Sequence, residues 1–391
     1  MTVLMWVSVA SLLAWLWLTF GQGGFWHTDV RLPPRPETAA RPEVAIVVPA
    51  RDEAEVLPLS LPSLLAQQYP GTARVILVDD GSTDGTGELA RKLAEAPGSL
   101  PLTVTSPGEP PQGWTGKLWA LRHGVELAGD VEYLLLTDAD IAHAPASLDS
   151  LVAAAEGPTG GAYDLVSQMA RLRTETRWER LIVPAFVYFF AQLYPFRWSN
   201  RPGSRTAAAA GGCTLVRREA LERAGGVAAI RGAVIDDVNL AKAVKRGGGR
   251  TWLGLGDQVD SVRPYPEFGQ LWRMVSRSAY AQLRHSVLLL IGTVLGLSLV
   301  YLVPPVLTVV GLTTGDSRVA SVSGAAWVLM ACTYVPMLRY YRQPPLAALL
   351  LPFTALLYLL MTVDSAVQHW RGRGAAWKGR TYPAPSRSEG F

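Results

Sequence analysis

A chain of 391 residues, 49% apolar and 17% charged, with a formal net charge of +4, has room for a sizeable domain and additional segments, because single cores stop growing at roughly 250–300 residues. Two cysteines, Cys213 and Cys332, the second inside an apolar run, argue against a disulfide framework, and five histidines without HExxH or Cys/His spacing argue against zinc. The modest positive charge sits beside apolar segments, which suits anionic lipid headgroups better than a nucleic-acid groove.

Val3 to Phe20 is apolar, Trp-rich and uncharged, and at ~18 residues it meets the length needed to span hydrocarbon. A cleaved signal peptide would carry a basic start and a small-residue cleavage site. Here Gly21 to Trp26 leads into more aromatics, so an uncleaved anchor is expected. Asp29 to Pro42, with four prolines, reads as a linker.

A regular alternation follows. Val44 to Val48 is an apolar run of strand length, and Glu53 to Gln68 reads as a helix that Pro58 and Pro62 must break or restrict to its first turn. Arg74 to Val78, Leu102 to Thr105 and Tyr133 to Thr137 read as further strands, separated by helices from about Asp84 to Leu93 and from Lys117 to Leu127. Strands alternating with helices imply an α/β fold with a mostly parallel sheet and helices on both faces, and ligands then bind outside the carboxyl ends of the strands. Gly211 to Glu219 reads as a Gly-rich approach to a short strand and a helix, and Asp236-Asp237 opens a helix toward Lys245. Leu181 to Phe196 is an apolar run that serves either as a core helix or as a membrane-facing one.

Glu267 to His285 has Phe268, Leu271, Trp272, Val275, Ala279 and Leu283 on one face and Gln270, Arg273, Arg277 and Arg284 on another, the pattern of a helix lying in a bilayer surface. Three apolar stretches, about 286–312, 319–338 and 346–367, are each long enough to cross. If the intervening domain is cytoplasmic and all three cross, the basic tail (Arg371, Arg373, Lys378, Arg380) lies outside, against the positive-inside tendency. Pro304-Pro305 makes the first stretch a candidate re-entrant segment, and the parity stays open.

Carboxylates cluster at expected strand ends. Asp79-Asp80 closes one strand and Asp138-Ala139-Asp140 another; crowded acids there require a cation or donors. A turn with an Asp N-cap is the plainer alternative for Asp84, and secondarily for Asp79. Two acids flanking one small residue suit a divalent ion with oxygen ligands. Gly113-Trp114-Thr115-Gly116-Lys117 has the wrong spacing for a Walker loop, and Leu118 stands where Ser or Thr is needed.

In order, these residues resemble glycosyltransferase family 2, a GT-A group that includes ceramide glucosyltransferase and the hopene-associated enzymes. The resemblance spans about residues 43–285. Gly113 to Lys117, the flanking apolar segments and Trp377 to Tyr382 look most like the hopene-associated members. The resemblance implies a nucleotide-sugar site at Pro49, Arg51, Glu53, Asp80, Lys117 and Asp138, and a Mg²⁺ or Mn²⁺ site at Asp138 and Asp140. It further implies a catalytic base at Asp237, with Asp236 replacing the family's Glu, and a catalytic Gln270 and Arg273 in Gln270-Leu-Trp-Arg-Met274, where Met274 replaces a Trp.

The organisation then reads as an anchor at 1–26, a linker at 27–42, a catalytic domain at 43–265, an interfacial helix at 266–285, membrane segments at 286–370 and a basic tail at 371–391. The expected activity is inverting transfer of a sugar from a nucleotide-sugar, UDP-sugar first, to a membrane lipid of hopanoid type, in the inner membrane with the catalytic part cytoplasmic. Its rivals are a processive polysaccharide synthase and a non-catalytic membrane scaffold.

Overall fold

The computed structural model describes residues 3–32, 41–157, 162–372, 376–377 and 380–381. The prolines at 33, 34 and 36 and most of the basic tail lie outside the described residues. The chain divides into two compact units.

One unit comprises 29–173, 198–264 and 376–391 and is built on an eight-stranded sheet. Its strands are β1 (Val44–Ala50), β2 (Ala73–Asp79), β3 (Leu102–Thr105), β4 (Tyr133–Thr137), β5 (Ile141–His143), β6 (Leu165–Arg171), β7 (Cys213–Arg217) and β8 (Thr251–Ser261). They lie in the order β3-β2-β1-β4-β7-β6-β8-β5. The first four pair in parallel, as do β6 and β8, whereas β7 runs antiparallel to both neighbours and β5 antiparallel to β8.

Every residue of β1 is buried, because side chains alternate between two covered faces. Val44, Ile46 and Val48 pack with Leu57, Leu61 and Leu64 of the helix Leu57–Leu65. Ala45 and Val47 face the other core, with Leu118, Leu121, Leu240 and Ala241. The helix Leu57–Leu65 is shorter than the expected 53–68: Pro58 sits in its first turn and Pro62 is accommodated inside it. Close approach on the opposite face depends on Gly124, where a Cβ would stand 2.4 Å from Val47 Cγ1 and 2.9 Å from Val78 Cγ2.

The other unit comprises 1–28, 174–197 and 265–375, so the helix Arg177–Leu193 interrupts the expected 43–265 span. It groups here because Tyr188 bonds Thr333 Oγ1 at 2.8 Å and the Tyr358 hydroxyl donates to Ile182 O at 2.9 Å. Among the described residues, four helices are long and apolar enough to cross a membrane: Val3–Phe20, Val287–Thr314, Ser317–Tyr340 and Pro345–Trp370. Pro304 and Pro305 do not turn the chain back; a π turn at Ser298–Leu302 carries it into the next helical stretch, Val303–Thr314. Proline has no N–H to offer the carbonyl four residues earlier, and Val300 O accepts Trp15 Nε1 at 2.7 Å instead, while Leu299 O accepts Ser11 Oγ at 2.8 Å. The helix Phe268–Gln282 buries Leu271, Val275 and Tyr280 and exposes Arg273 and Arg277, in keeping with its amphipathic sequence.

Candidate active site

Parallel β1, β2 and β4 end on the same edge of the sheet, which gathers the turns at 49–53, 79–84 and 138–140. The first two turns are laced together. Asp52, at φ 50°, receives Thr83 N at 2.8 Å, and its own amide donates to Ser82 Oγ at 2.9 Å. The Glu53 amide donates to Thr86 Oγ1 at 2.8 Å and that of Ala54 to Asp84 Oδ2 at 2.9 Å. Asp79 accepts Ser82 N at 2.8 Å. Asp79 and Asp84 therefore hold the loop, whereas Arg51 reaches the Asp80 carbonyl and lies 3.6 Å from its carboxylate.

Lys117 is the second residue of the helix Gly116–Leu127, whose N-cap Thr115 accepts Leu118 N at 3.3 Å. Its ammonium lies 2.8 Å from Asp138 Oδ1 and 3.0 Å from Asp236 Oδ2. Burial opposes the lysine's charge, but the two carboxylates outweigh it and hold its pKa well above the ordinary value. Burial pushes Asp138 up, with Lys117 acting against that shift.

Asp236 and Asp237 open the helix Asp236–Arg246 and address different partners. Asp236 pairs with Lys117, while Asp237 accepts Gly211 N at 2.8 Å and Val238 N at 2.7 Å. Burial, then the neighbouring Asp236 carboxylate, raise Asp237 to about 7. The carbonyl of the next residue is held as well: Thr137 Oγ1 donates to Gly212 O at 2.7 Å and meets His143 Nε2 at 3.0 Å. Burial lowers His143 to about 4, so it serves there as a neutral ring. Pro49, Lys117, Asp138, Gly211, Asp236 and Asp237 line one pocket.

Arg263, just beyond β8, is a residue that sequence reasoning missed. It binds Asp140 Oδ2 through Nε at 2.6 Å and Glu53 Oε2 through Nη2 at 2.5 Å. It belongs to no motif, and its two partners lie 123 and 210 residues away in sequence, so no local signal marks it.

Asp138 and Asp140 are the expected metal ligands. Among the described residues no three His, Cys, Asp or Glu side chains converge on a metal-holding position. Two carboxylates without a third protein ligand fit Mg²⁺ or Mn²⁺ shared with substrate phosphates and water, the usual arrangement for hard ions that keep part of their shell. Gln270 and Arg273 lie in the other unit, on Phe268–Gln282; Arg273 is exposed, and Gln270 Oε1 is buried without a hydrogen-bond partner.

The sheet with its acid-lined edge is a mixed, mostly parallel α/β fold of GT-A-like type, and the sequence model described as Glycosyl transferase family 2 matches residues 45–225. Over this stretch the chain is similar to glycosyltransferase family 2 domains. The chain is 32% identical over 138 residues to the Probable glycosyltransferase YdaM of Bacillus subtilis, covering 33% of this chain and 32% of that protein. It is 34% identical over 154 residues to the undecaprenyl-phosphate 4-deoxy-4-formamido-L-arabinose transferase of Aeromonas hydrophila, covering 38% and 40%. The chain thus spans between about a third and two fifths of the length of these curated relatives. Its fold is similar to that of the mannosyltransferase PcManGT from Pyrobaculum calidifontis, solved with GDP-Man and Mn²⁺, at TM-score 0.57 and 21% identity over 94% of this chain and 99% of that one.

Proposed function

We propose that this chain is an inverting, membrane-bound glycosyltransferase that moves a sugar from a nucleotide-sugar to a lipid hydroxyl or phosphate. The observation that carries the reading is Asp237, raised to about 7 and aimed by Gly211 into the pocket shared with Lys117 and Asp138. A base poised near neutrality takes a proton from an acceptor most effectively. Asp237 does so here, and the acceptor oxygen attacks the anomeric carbon as the bond to the nucleotide diphosphate breaks on the opposite side. One displacement inverts the centre.

Pro49, Arg51, Glu53 and Asp80 border the base and ribose, and Lys117 neutralises charge on the departing diphosphate. A Mg²⁺ or Mn²⁺ held by Asp138 and Asp140 supplies Lewis-acid stabilisation of that leaving group. Gln270 and Arg273 are assigned a catalytic role by the family resemblance of Gln270 to Met274 alone, and the catalytic domain faces the cytoplasm, where nucleotide-sugars are made.

A lipid acceptor is supported by the four membrane-length helices and by relatives whose names specify undecaprenyl-phosphate. The hopanoid class rests only on the resemblance of Gly113 to Lys117, the flanking segments and the sequence Trp377 to Tyr382. Mass spectrometry of lipids from one host expressing wild type or Asp237→Asn tests the reading. A glycolipid present only with the wild type supports it, and identical lipid profiles under a supply of UDP- and GDP-sugars refute it.

A further inference from the structure

We propose that Arg263 is a resident counter-cation of Asp140 that keeps free divalent ions off the carboxylates until a nucleotide diphosphate arrives. This deepens the glycosyltransferase reading and rests on it.

The placement of Arg263 is built into the sheet. β5 and β8 pair antiparallel with Ile141 opposite Ser261, and Val262 N donates to Asp140 O at 2.8 Å, so the chain leaving β8 is pinned beside Asp140. From there the guanidinium uses Nε on Asp140 and Nη2 on Glu53. Glu53 is itself buried and anchored through its backbone to Thr86. With five donors in one plane, arginine can meet two carboxylates at once, which a single ammonium cannot do as rigidly. Across the same motif, Lys117 occupies Asp138. Both acids flanking Ala139 therefore carry an internal cation.

A divalent ion arriving alone must take Asp140 from Arg263 and leave the guanidinium with Glu53 only, in a half-buried setting where a lost charged hydrogen bond is not repaid by water. When a diphosphate arrives with the ion, its oxygens accept the released donor groups. Ion and nucleotide then bind together more tightly than either binds alone, and Arg263 is the residue that creates the linkage.

The full chain in detergent can be titrated with Mn²⁺ by electron paramagnetic resonance, alone and with UDP or GDP present. The wild type is expected to bind Mn²⁺ weakly alone and more tightly with one of the nucleotides. Arg263→Gln is expected to tighten binding of Mn²⁺ alone by about tenfold, the scale of one charged hydrogen bond, and to shrink the nucleotide's effect by the same factor. Arg263→Lys, which keeps the charge but holds one carboxylate at a time, should give a smaller rise and serves if the Gln variant does not fold.

If Arg263→Gln, or failing it Arg263→Lys, binds Mn²⁺ alone no better than the wild type while the wild type still binds Mn²⁺ with nucleotide, the counter-cation role is overturned and the glycosyltransferase reading stands. If the wild type binds no Mn²⁺ with either nucleotide, both fall.

Discussion

The backbone amide of Gly211 donates to Asp237 Oδ2 at 2.8 Å, yet the same carboxyl sits near 7 because burial and Asp236 oppose its charge more than two amides support it. Asp237 must be ionised to act as a base. Transfer should therefore fall about tenfold per unit as pH drops below about 7, and Asp237→Asn should lose ~10² to 10⁴-fold while nucleotide binding stays within a few-fold. Initial rates across pH 5.5 to 8.5, with binding measured separately, check both.

The same shift has a stability consequence of opposite sense. A carboxyl with an ordinary pKa near 3.9 unfolded and about 7 folded keeps its proton longer in the folded state. Its contribution is fully present below the unfolded value and is lost as pH rises through about 7. Asp237→Asn should thus gain in Tm relative to the wild type between pH 5 and pH 8.

Lys117 joins Asp138 to Asp236, so its removal leaves two crowded acids without their shared cation. Lys117→Met should destabilise by about 3 kcal/mol, whereas Lys117→Arg should keep most of the stability. Asp236→Asn should be milder in activity than Asp237→Asn, because Asp236 faces Lys117 and not the Gly211 amide. Thermal unfolding and transfer assays on the four variants separate these roles.

Gly124→Ala forces a methyl against Val47 and Val78, and overpacking of a closed core costs about 1–3 kcal/mol. A Tm unchanged from the wild type would show that the helix and sheet can separate locally.

Orientation is open to direct labelling. Ala228 is exposed in the sheet-bearing unit, so Ala228→Cys in a Cys332→Ser background should resist an impermeant thiol reagent in intact cells and react after lysis. Reaction in intact cells would place the catalytic domain outside.

The strands at Val44 to Val48 and Tyr133 to Thr137 were legible because they are buried on both faces and read as uninterrupted apolar runs, whereas β5, β6 and β8 were not read, their runs being short or broken by Ser167, Gln168, Gly254 and Gly256. The acids at the strand ends were legible because they interrupt apolar runs, Asp79-Asp80 directly after Val78 and Asp138 directly after Thr137. Arg263 was not, because its partners lie 123 and 210 residues away and an isolated arginine after a strand has no local pattern. The grouping of Arg177–Leu193 was equally hidden: Pro184 and its apolar run fit either a core or a membrane-side helix, and only the bonds of Tyr188 and Tyr358 decide.

The bond from Trp15 to the proline-orphaned carbonyl of Val300 bears on how the chain is made. The ribosome delivers the helix containing Trp15 first and the Pro304-Pro305 segment long afterwards, so an early helix waits in the lipid for a late one. Until they meet, a bare carbonyl stands in hydrocarbon, where no water can serve it. In a membrane-bound chain the N-terminal helix would then supply the donor that this carbonyl of the late segment accepts. Supplying residues 1–28 as a separate peptide should rescue membrane insertion of a chain that begins at Asp29, and the same peptide carrying Trp15→Phe should rescue it less well.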